Sequence, residues 1–430
     1  MYSLFFILLS SNMPKQSSVQ TMRRISSLIS ALFAENIIAY LRILPYTDGM
    51  KRIYLWQLDG WPHFTWKDSV ITPQLVQVLH KQAELYGAMR ALGFSVKSLN
   101  NVDSLTQEIA KSAAIEGERI PAEDLRSSIA RHLGAENVLT QDAIERLQNN
   151  QIPQRIQTTV RAVLDAIQHC NEPLTKERLC SWHSLLFPQG FSGGFKITTG
   201  SYRRDEYGPM RVISGSMGKE TIHFEAPPAA ILESEMNRFF QWFNTSAKDS
   251  GMELAVKSAI SHLYFVTIHP FDDGNGRLSR ILADMILSQD GNDRLFSMSA
   301  QLLIERKDYY AMLEKTQSGS CDITEWLEWY LGCMARAIES SLCQIERTQS
   351  IRRFWEEAHR RTILNERQKN MLTRVLSNDW QGNLTTTKWA KICKCSQDTA
   401  TRDINALTAN GILRKESAGG RSTSYWVCEF

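Results

Sequence analysis

The sequence lacks several features that would assign it to a specialised class of protein. It contains no run of the ~18–20 apolar residues that a membrane-spanning helix needs. Its charges nearly cancel, with a formal net charge of +3 over 430 residues, so no global field selects a partner. The eight cysteines are scattered, and most lie in apolar helical patterns, which indicates reduced, buried thiols. These absences argue against a membrane protein and a disulfide-rich secreted protein, and we predict a cytoplasmic one.

The length of the chain predicts more than one domain, about two to four. Residues 1–49 contain a short apolar run at Leu4–Leu9, but no basic residue precedes it, which disfavours a signal peptide. We interpret residues 1–49 as a disordered extension or a wrongly assigned start. The remainder divides into a helical module at residues 50–160, a core at residues 161–348 and a C-terminal domain at residues 349–430.

The most informative segment is residues 269–280, which read His-Pro-Phe-Asp-Asp-Gly-Asn-Gly-Arg-Leu-Ser-Arg. Apolar residues at helical spacing precede it at Leu254–Ile268 and follow it at Leu278–Leu287, so it joins two buried helices. Its glycines fall at the N-terminus of the second helix, where unpaired N–H groups and the helix dipole suit a phosphate. Arg277 and Arg280 are cations at that positive end, and the cost of placing them there predicts an anionic ligand.

This loop resembles the signature of the Fic family, His-x-Phe-x-Asp/Glu-Gly-Asn-Gly-Arg-x-x-Arg, and every specified position is filled. The aromatic stretch from Trp56 to Trp66 is also similar to a module that often precedes a Fic core, although we interpret it first as a packing cluster. The resemblance implies a mainly α fold with a Fic-type helical core and a β-hairpin flap. It also implies a protein adenylyltransferase, which transfers AMP from ATP to a tyrosine, threonine or serine hydroxyl of a target protein.

The resemblance assigns roles within and around the loop. His269 is implied as the general base, and an imidazole suits that role near neutral pH. Asp273 would hold Mg2+, which favours one or two carboxylates together with substrate phosphates. Tyr309 or Tyr310 would stack on the adenine, with core packing as the alternative. The other implied contacts to ATP are the backbone of Gly274, Asn275 and Gly276 at the α-phosphate, the Asn275 amide, Arg277 at the α- and β-phosphates and Arg280 at the γ-phosphate.

A second motif lies in the preceding helical module. The sequence predicts helices at Thr72–Leu92 and Ser104–Glu116, the second ending at Gly117, a residue type common at helix ends. Residues 112–117, Ser-Ala-Ala-Ile-Glu-Gly, resemble the inhibitory motif of the Fic family, Ser/Thr-x-x-x-Glu-Gly/Asn. Glu116 falls at the negative end of its helix, where a carboxylate needs a compensating cation, and the resemblance names Arg280. It implies autoinhibition, in some family members joined by a reverse reaction that removes AMP; the alternative is a solvated surface glutamate.

The core also contains the pattern of a β-hairpin. Gly200–Arg203 lead into two short strands, Val212–Ser214 and Thr221–Phe224, with a turn signal at Gly215–Gly218. In the Fic family such a hairpin is the flap over the active site. The resemblance therefore implies that a target protein docks on the flap near Val212–Ser214 by adding an extended segment to the strand edge.

The C-terminal domain has a different charge balance, with 14 lysines and arginines against 8 aspartates and glutamates at residues 351–430. Helices are predicted at Glu366–Leu376, Thr386–Ile392 and Gln397–Thr408, with Ser396 capping the last and a hairpin around Gly419 and Gly420. This order is typical of a winged helix-turn-helix. The alternatives are DNA binding through residues 385–426 and a protein–protein contact. The residues predicted to meet DNA are Gln397, Thr401, Arg402 and Asn405 in the groove and Arg414, Lys415 and Arg421 at phosphates.

Two functions of different classes follow from these patterns. The leading one is an autoinhibited protein adenylyltransferase that uses ATP and Mg2+. Glycine at position 276 favours nucleotide transfer over the kinase-like branch of the Fic family, with UTP or a choline-bearing diphosphate as alternative donors. The rival is a DNA-binding transcriptional regulator whose Fic core is a sensor or weakly active. Self-modification and a homodimer are further expectations from the resemblance, and no membrane partner is expected.

Overall fold

The structure is a computed structural model that describes residues 52–90, 94–149, 151–206, 208–215, 220–245, 251–291, 294–377, 380–416 and 423–430. The chain divides into two compact units, with the boundary between Glu339 and Ser340. The described residues are mainly helical, and their strands form three antiparallel pairs. The predicted fold class, mainly α, is confirmed. The expectation for residues 1–49 lies outside the described residues.

Helices build most of the first unit. In chain order they are α1 (Asp68–Arg90), α2 (Phe94–Ile115), α3 (Ala122–His132), α4 (Gln141–Gln148), α5 (Gln154–Gln168), α6 (Lys176–Leu186), α7 (Leu232–Asn244), α8 (Leu254–Ile268), α9 (Asn275–Leu287), α10 (Met298–Ile304), α11 (Arg306–Gln317) and α12 (Thr324–Arg361), the last continuing into the second unit. Short 3-10 turns lie at Leu55–Gln57, Glu136–Val138, Ala229–Ile231 and Ser288–Asp290.

Two strand pairs also belong to the first unit. Strands β1 (Phe191–Ser192) and β2 (Phe195–Lys196) form one pair, and β3 (Arg211–Ser214) and β4 (Thr221–Glu225) form the other. The second pair is the predicted hairpin, which is confirmed, and it carries a register shift between Val212 and Ile213. Most of the predicted turn at Gly215–Gly218 lies outside the described residues.

Helices α8 and α9 form the centre of the first unit. Helix α8 is apolar on all sides, with a lysine at position 257 as its one ionised residue, and it is buried from Ala255 to Ile268. A helix that is hydrophobic all round must be covered on every side, and here it packs against α9, α7 and α1. The loop at residues 269–274 is therefore held between two rigid, buried elements.

The predicted helix at Ser104–Glu116 begins too late. Helix α2 starts ten residues earlier, at Phe94, and ends at Ile115. The polar residues at positions 98, 100, 101 and 103 obscured the pattern in the sequence. Val102 and Leu105 are nevertheless fully or almost fully buried, so one helix face carries the packing through this polar stretch.

The second unit, from Ser340 onward, has its own hydrophobic core around Trp389, Ile404 and Leu407. Its elements after α12 are α13 (Glu366–Leu376), α14 (Thr386–Cys393), α15 (Gln397–Ala409), β5 (Leu413–Lys415) and β6 (Tyr425–Val427). The three predicted helices agree with these to within one residue at each end, and the Ser396 side chain caps α15 by accepting a hydrogen bond from the N–H of Thr399.

Across the part of the chain that the structure describes, none of the helices combines the length and the apolar character needed to cross a membrane.

Candidate active site

The candidate site is centred on the loop between α8 and α9. His269 ends α8 in the left-handed conformation, with φ 53° and ψ 57°, because the following Pro270 disfavours helical backbone at this position. The Nδ1 atom of His269 lies 3.1 Å from the carbonyl oxygen of Val266. A carbonyl can only accept, so Nδ1 carries the proton. In the neutral ring, Nε2 is therefore the atom that can take a proton from a substrate.

Two side chains within the loop fix its shape. Phe271 is fully buried and stacks on His183, with ring centroids 4.2 Å apart. Asn275 folds back: its Oδ1 accepts from the N–H of Phe271 at 3.0 Å and its Nδ2 donates to the carbonyl of Phe271 at 2.8 Å. From the sequence, this amide was predicted to contact ATP. In the structure it forms hydrogen bonds with buried backbone groups of the loop.

His183 on α6 supports the loop through hydrogen bonds to backbone groups, and no pattern in the sequence pointed to it. Its Nε2 donates to the carbonyl of Asp273 at 3.1 Å, and its Nδ1 accepts from the N–H of Gly200 at 3.2 Å. Burial lowers the pKa of His183 from 6.5 to about 4, so the ring is neutral near pH 7. A neutral imidazole with one donor and one acceptor is what these two backbone partners require.

The N-terminus of α9 contains two glycines that leave no room for side chains. Gly274 has φ 82°, and a Cβ there would lie 2.7 Å from Cε2 of Phe187. At Gly276 a Cβ would lie 2.3 Å from an oxygen of Glu116. The Glu116 carboxylate therefore lies close to the first turn of α9, at the helix end that favours anions.

Arg280 is held by the end of α2. Its Nη2 donates to Glu116 at 2.7 Å and to the carbonyl of Ser112 at 3.1 Å, and its Nε donates to the Ser112 hydroxyl at 2.8 Å. Burial lowers the pKa of Arg280, but the Glu116 carboxylate outweighs this and leaves it above the ordinary value. Glu116 is therefore an ion-pair partner of Arg280 and not a solvated surface glutamate.

Arg277 is held by a second carboxylate that sequence reasoning missed. Its Nη1 lies 3.2 Å from each carboxylate oxygen of Glu118, and its guanidinium lies 4.5 Å from the centre of the Phe187 ring. Glu118 also accepts a hydrogen bond from Arg155. The two cations at the start of α9 predicted an anionic partner, and in the structure two glutamates of the same chain provide one each.

Asp273, which was assigned to Mg2+ from the sequence, has a partly exposed carboxylate held by two hydrogen bonds. Its side chain is 41% exposed. One carboxylate oxygen accepts from the N–H of Gly274 at 2.5 Å, and the other accepts from the hydroxyl of Ser192. No cluster of three or more His, Cys, Asp or Glu side chains able to hold a metal occurs among the described residues. A single oriented carboxylate fits Mg2+ bound mainly by substrate phosphates and water.

The two tyrosines proposed for adenine differ sharply in exposure. Tyr309 is 2% exposed and its hydroxyl lies 2.8 Å from Nε2 of the buried His262. Tyr310 is 40% exposed, and its ring faces the guanidinium of Arg306 at 5.5 Å. Tyr310 is thus the more exposed of the two, and the adenine contact stays a prediction.

A small, partly open cleft lies beside both motif arginines. Residues of α2, α5 and α9 contribute most of its walls. The polar and charged groups that line it are Glu108, Ser112, Glu118, Thr159, Arg277, Arg280 and Asp284.

The hairpin near Val212–Ser214 has one buried and one exposed residue at its end. Ile213 is 7% exposed, whereas Ser214 is exposed and its hydroxyl lies 2.6 Å from Nε2 of His223. Trp56 donates from Nε1 to the carbonyl of Glu225 at 2.7 Å, which fixes the base of β4. Docking of a target protein on this hairpin stays a prediction.

In the second unit, the side chains of Arg402, Asn405, Arg414 and Lys415 are exposed. Asp403, on the same helix as Arg402, is 6% exposed and pairs with Arg367. Arg421 lies outside the described residues, as do Gly419 and Gly420. The winged helix and its binding of DNA stay predictions.

The chain is mainly helical, and a loop that carries histidine, carboxylate and arginine side chains joins two of its buried helices. Residues 173–287 match the model of the Fic/DOC family, so the chain carries a Fic/DOC domain. Residues 54–135 match a second model, described as a domain of unknown function, DUF4172.

Named relatives cover parts of the chain. The protein adenylyltransferase Fic of Nematostella vectensis is 36% identical over 118 residues, which are 27% of this chain and 26% of that protein. The protein adenylyltransferase Fic of Drosophila ananassae is 33% identical over 104 residues, which are 24% of this chain and 20% of that protein. The chain thus matches about a quarter of the first relative and a fifth of the second. The crystal structure of a Fic family protein from Desulfovibrio desulfuricans is 19% identical, with a TM-score of 0.45, and the superposition covers 83% of this chain and 97% of that one.

Proposed function

We propose that this protein is an adenylyltransferase that moves AMP from ATP to a hydroxyl side chain of a protein. The observation that carries the proposal is the geometry of His269. Its Nδ1 donates to the carbonyl of Val266 in the last turn of α8, and the loop that it begins leads into a glycine-lined helix N-terminus and two arginines. A base, an anion-binding turn and two cations are the groups that attack on a phosphate requires. The names of the relatives support the same chemistry.

In the proposed reaction the target hydroxyl attacks the α-phosphorus of ATP. Nε2 of His269 takes the hydroxyl proton as the new P–O bond forms, and the bond to the β-phosphate breaks to release pyrophosphate. The N–H groups of Asn275 and Gly276 stabilise negative charge on the α-phosphate, whereas the N–H of Gly274 is bonded to Asp273. Arg277 binds the α- and β-phosphates. Asp273 would hold Mg2+, which neutralises phosphate charge when bound.

Glu116 restrains this reaction in the proposal. Arg280 is the partner for the γ-phosphate, and in the structure its Nη2 is bonded to Glu116. A γ-phosphate at this place must compete with the carboxylate for the guanidinium and approach a second negative charge. A nucleotide that binds without this contact would turn its α-phosphorus away from His269. The expected result is a low basal rate of transfer.

The donor and the bond that breaks are tested with the Glu116→Gly variant, Mg2+ and ATP labelled at either the α- or the γ-phosphate. The proposal predicts that the α-label appears in AMP bound to protein or released to water, and the γ-label in pyrophosphate. Label carried to protein from the γ-position would show phosphoryl transfer instead. Transfer from UTP or a choline-bearing diphosphate, with none from ATP, would show that ATP is not the donor.

A further inference from the structure

The segment before the flap contains a buried arginine that touches the catalytic loop. Arg203 has a side chain only 1% exposed. Its Nε donates to the carbonyl of His269 at 2.8 Å, and its backbone N–H donates to the carbonyl of Pro270 at 2.9 Å. Both carbonyls adjoining the Pro270 ring are thus bonded to one residue, 66 positions earlier in the chain.

The other end of the same guanidinium reaches the base of the flap. Nη2 of Arg203 donates to the carbonyl of Pro227, just after β4, and Nη1 donates to Asp205 at 2.7 Å. Asp205 in turn accepts from the N–H of Ala229 at 2.5 Å. Arg203 and Asp205 therefore join the catalytic loop to the chain that leaves the flap.

We infer that Arg203 is a positioning residue for His269, a role that rests on the proposed function of that histidine as the base. His269 occupies a left-handed conformation, which residues with a side chain adopt rarely and only when their surroundings enforce it. Its carbonyl is held by Arg203 and its ring by Val266, so the direction of Nε2 is set from both sides. The flap and the base are consequently oriented by one guanidinium.

Lysine cannot replace this arrangement. A guanidinium is planar and directs Nε, Nη1 and Nη2 toward different acceptors at once, whereas an ammonium is a single point with rotatable donors. Arg203→Lys keeps the charge and most of the length, but it cannot reach His269, Asp205 and Pro227 together. The substitution therefore releases the loop with little change in charge.

The first experiment measures transfer by Arg203→Lys in the Glu116→Gly background. We expect the rate constant for AMP transfer to fall about 100-fold, the effect of a small displacement of a catalytic group, while the dissociation constant of ATP changes less than about twofold. The matched control is Arg178→Lys. Arg178 also spans several acceptors, Asp165, His169 and Glu172, but it lies on α6 and ties the end of α5. This control should keep the parent rate.

The second readout needs no activity. Nitrogen-15 NMR of the histidine rings, with the His269 signal assigned by its loss in His269→Gln, reports which ring nitrogen carries the proton. We expect the parent to show the Nδ1-protonated form and Arg203→Lys to show a mixture of both forms. If the Glu116→Gly parent shows no transfer but Arg203→Lys still changes the His269 spectrum, the proposed reaction is refuted and the positioning role stands.

The inference is overturned if Arg203→Lys keeps both the parent rate and the parent His269 spectrum. If Arg203→Lys does not fold by circular dichroism, Asp205→Asn decides, because it removes the charged partner of Nη1 and so loosens the guanidinium that holds the His269 carbonyl. The expected result is a smaller fall in rate in the same direction, with ATP affinity unchanged. If Asp205→Asn has the same transfer rate and the same His269 spectrum as the parent, the positioning role is rejected.

Discussion

Glu118 and Arg277 form a pair in which one guanidinium nitrogen lies 3.2 Å from both carboxylate oxygens. Two positions earlier in the chain, Glu116 holds Arg280 at 2.7 Å. The short segment that follows α2 therefore supplies a carboxylate to each of the two arginines that the proposed reaction uses for phosphates. Removing Glu116 alone leaves the second arginine paired.

This arrangement predicts that Glu118→Gln strengthens ATP binding in the Glu116→Gly background. Glutamine keeps the shape of the side chain but removes the charge that competes with phosphate. Since Glu118 is partly exposed, we expect a gain of about 1 kcal/mol, or about fivefold in the dissociation constant. Isothermal titration calorimetry with ATP and Mg2+ measures it. The control is Glu123→Gln, an exposed glutamate at the start of α3. Weaker binding in Glu118→Gln would show that Glu118 orients Arg277 instead of competing for it.

Gly274 predicts a stability difference between two glycine substitutions. Gly274 and Gly134 both have positive φ, but an added Cβ at Gly274 would meet the Phe187 ring, whereas nothing lies within 4 Å of one at Gly134. Gly134→Ala should cost about 1–2 kcal/mol from backbone strain alone. Gly274→Ala should cost at least about 1 kcal/mol more, since the ring must move. Urea unfolding of both variants tests this, and equal losses would contradict the close packing of Phe187 on the loop.

His262 predicts a loss of stability in acid. Burial, and the charge of Arg280, lower the pKa of His262 from 6.5 to about 3. Because the unfolded chain takes up this proton below pH 6.5 and the folded chain does not, stability is complete above pH 6.5 and declines as the pH falls toward 3. The effect approaches about 1.4 kcal/mol per pH unit.

The comparison of wild type with His262→Gln isolates this contribution from that of the carboxylates. Between pH 7 and pH 5 the free energy of unfolding of the wild type should fall by about 2 kcal/mol more than that of His262→Gln. Denaturant titrations at the two pH values measure the difference. Parallel curves would show that His262 gains its proton in the folded protein as easily as in the unfolded one.

Local patterns predicted much of this molecule. The loop at residues 269–280, the hairpin and the three helices of the C-terminal unit were all readable, because periodicity and glycines report on nearby backbone. Glu116 was found because a known motif surrounds it. Glu118, His183 and Arg203 were not, since their partners lie 159, 90 and 66 residues away and nothing local marks them. The exposure that separates Tyr310 from Tyr309 likewise depends on packing between distant helices.

The most direct test of the account compares AMP incorporation from α-labelled ATP and Mg2+ by three proteins: wild type, Glu116→Gly, and the double variant Glu116→Gly/His269→Ala. The account predicts little label in the wild type, strong label in Glu116→Gly, and its loss in the double variant. Equal labelling by the wild type and Glu116→Gly would contradict the restraint by Glu116. Undiminished label in the double variant would contradict His269 as the base, and no label in any of the three, with ATP bound, would contradict adenylyl transfer itself.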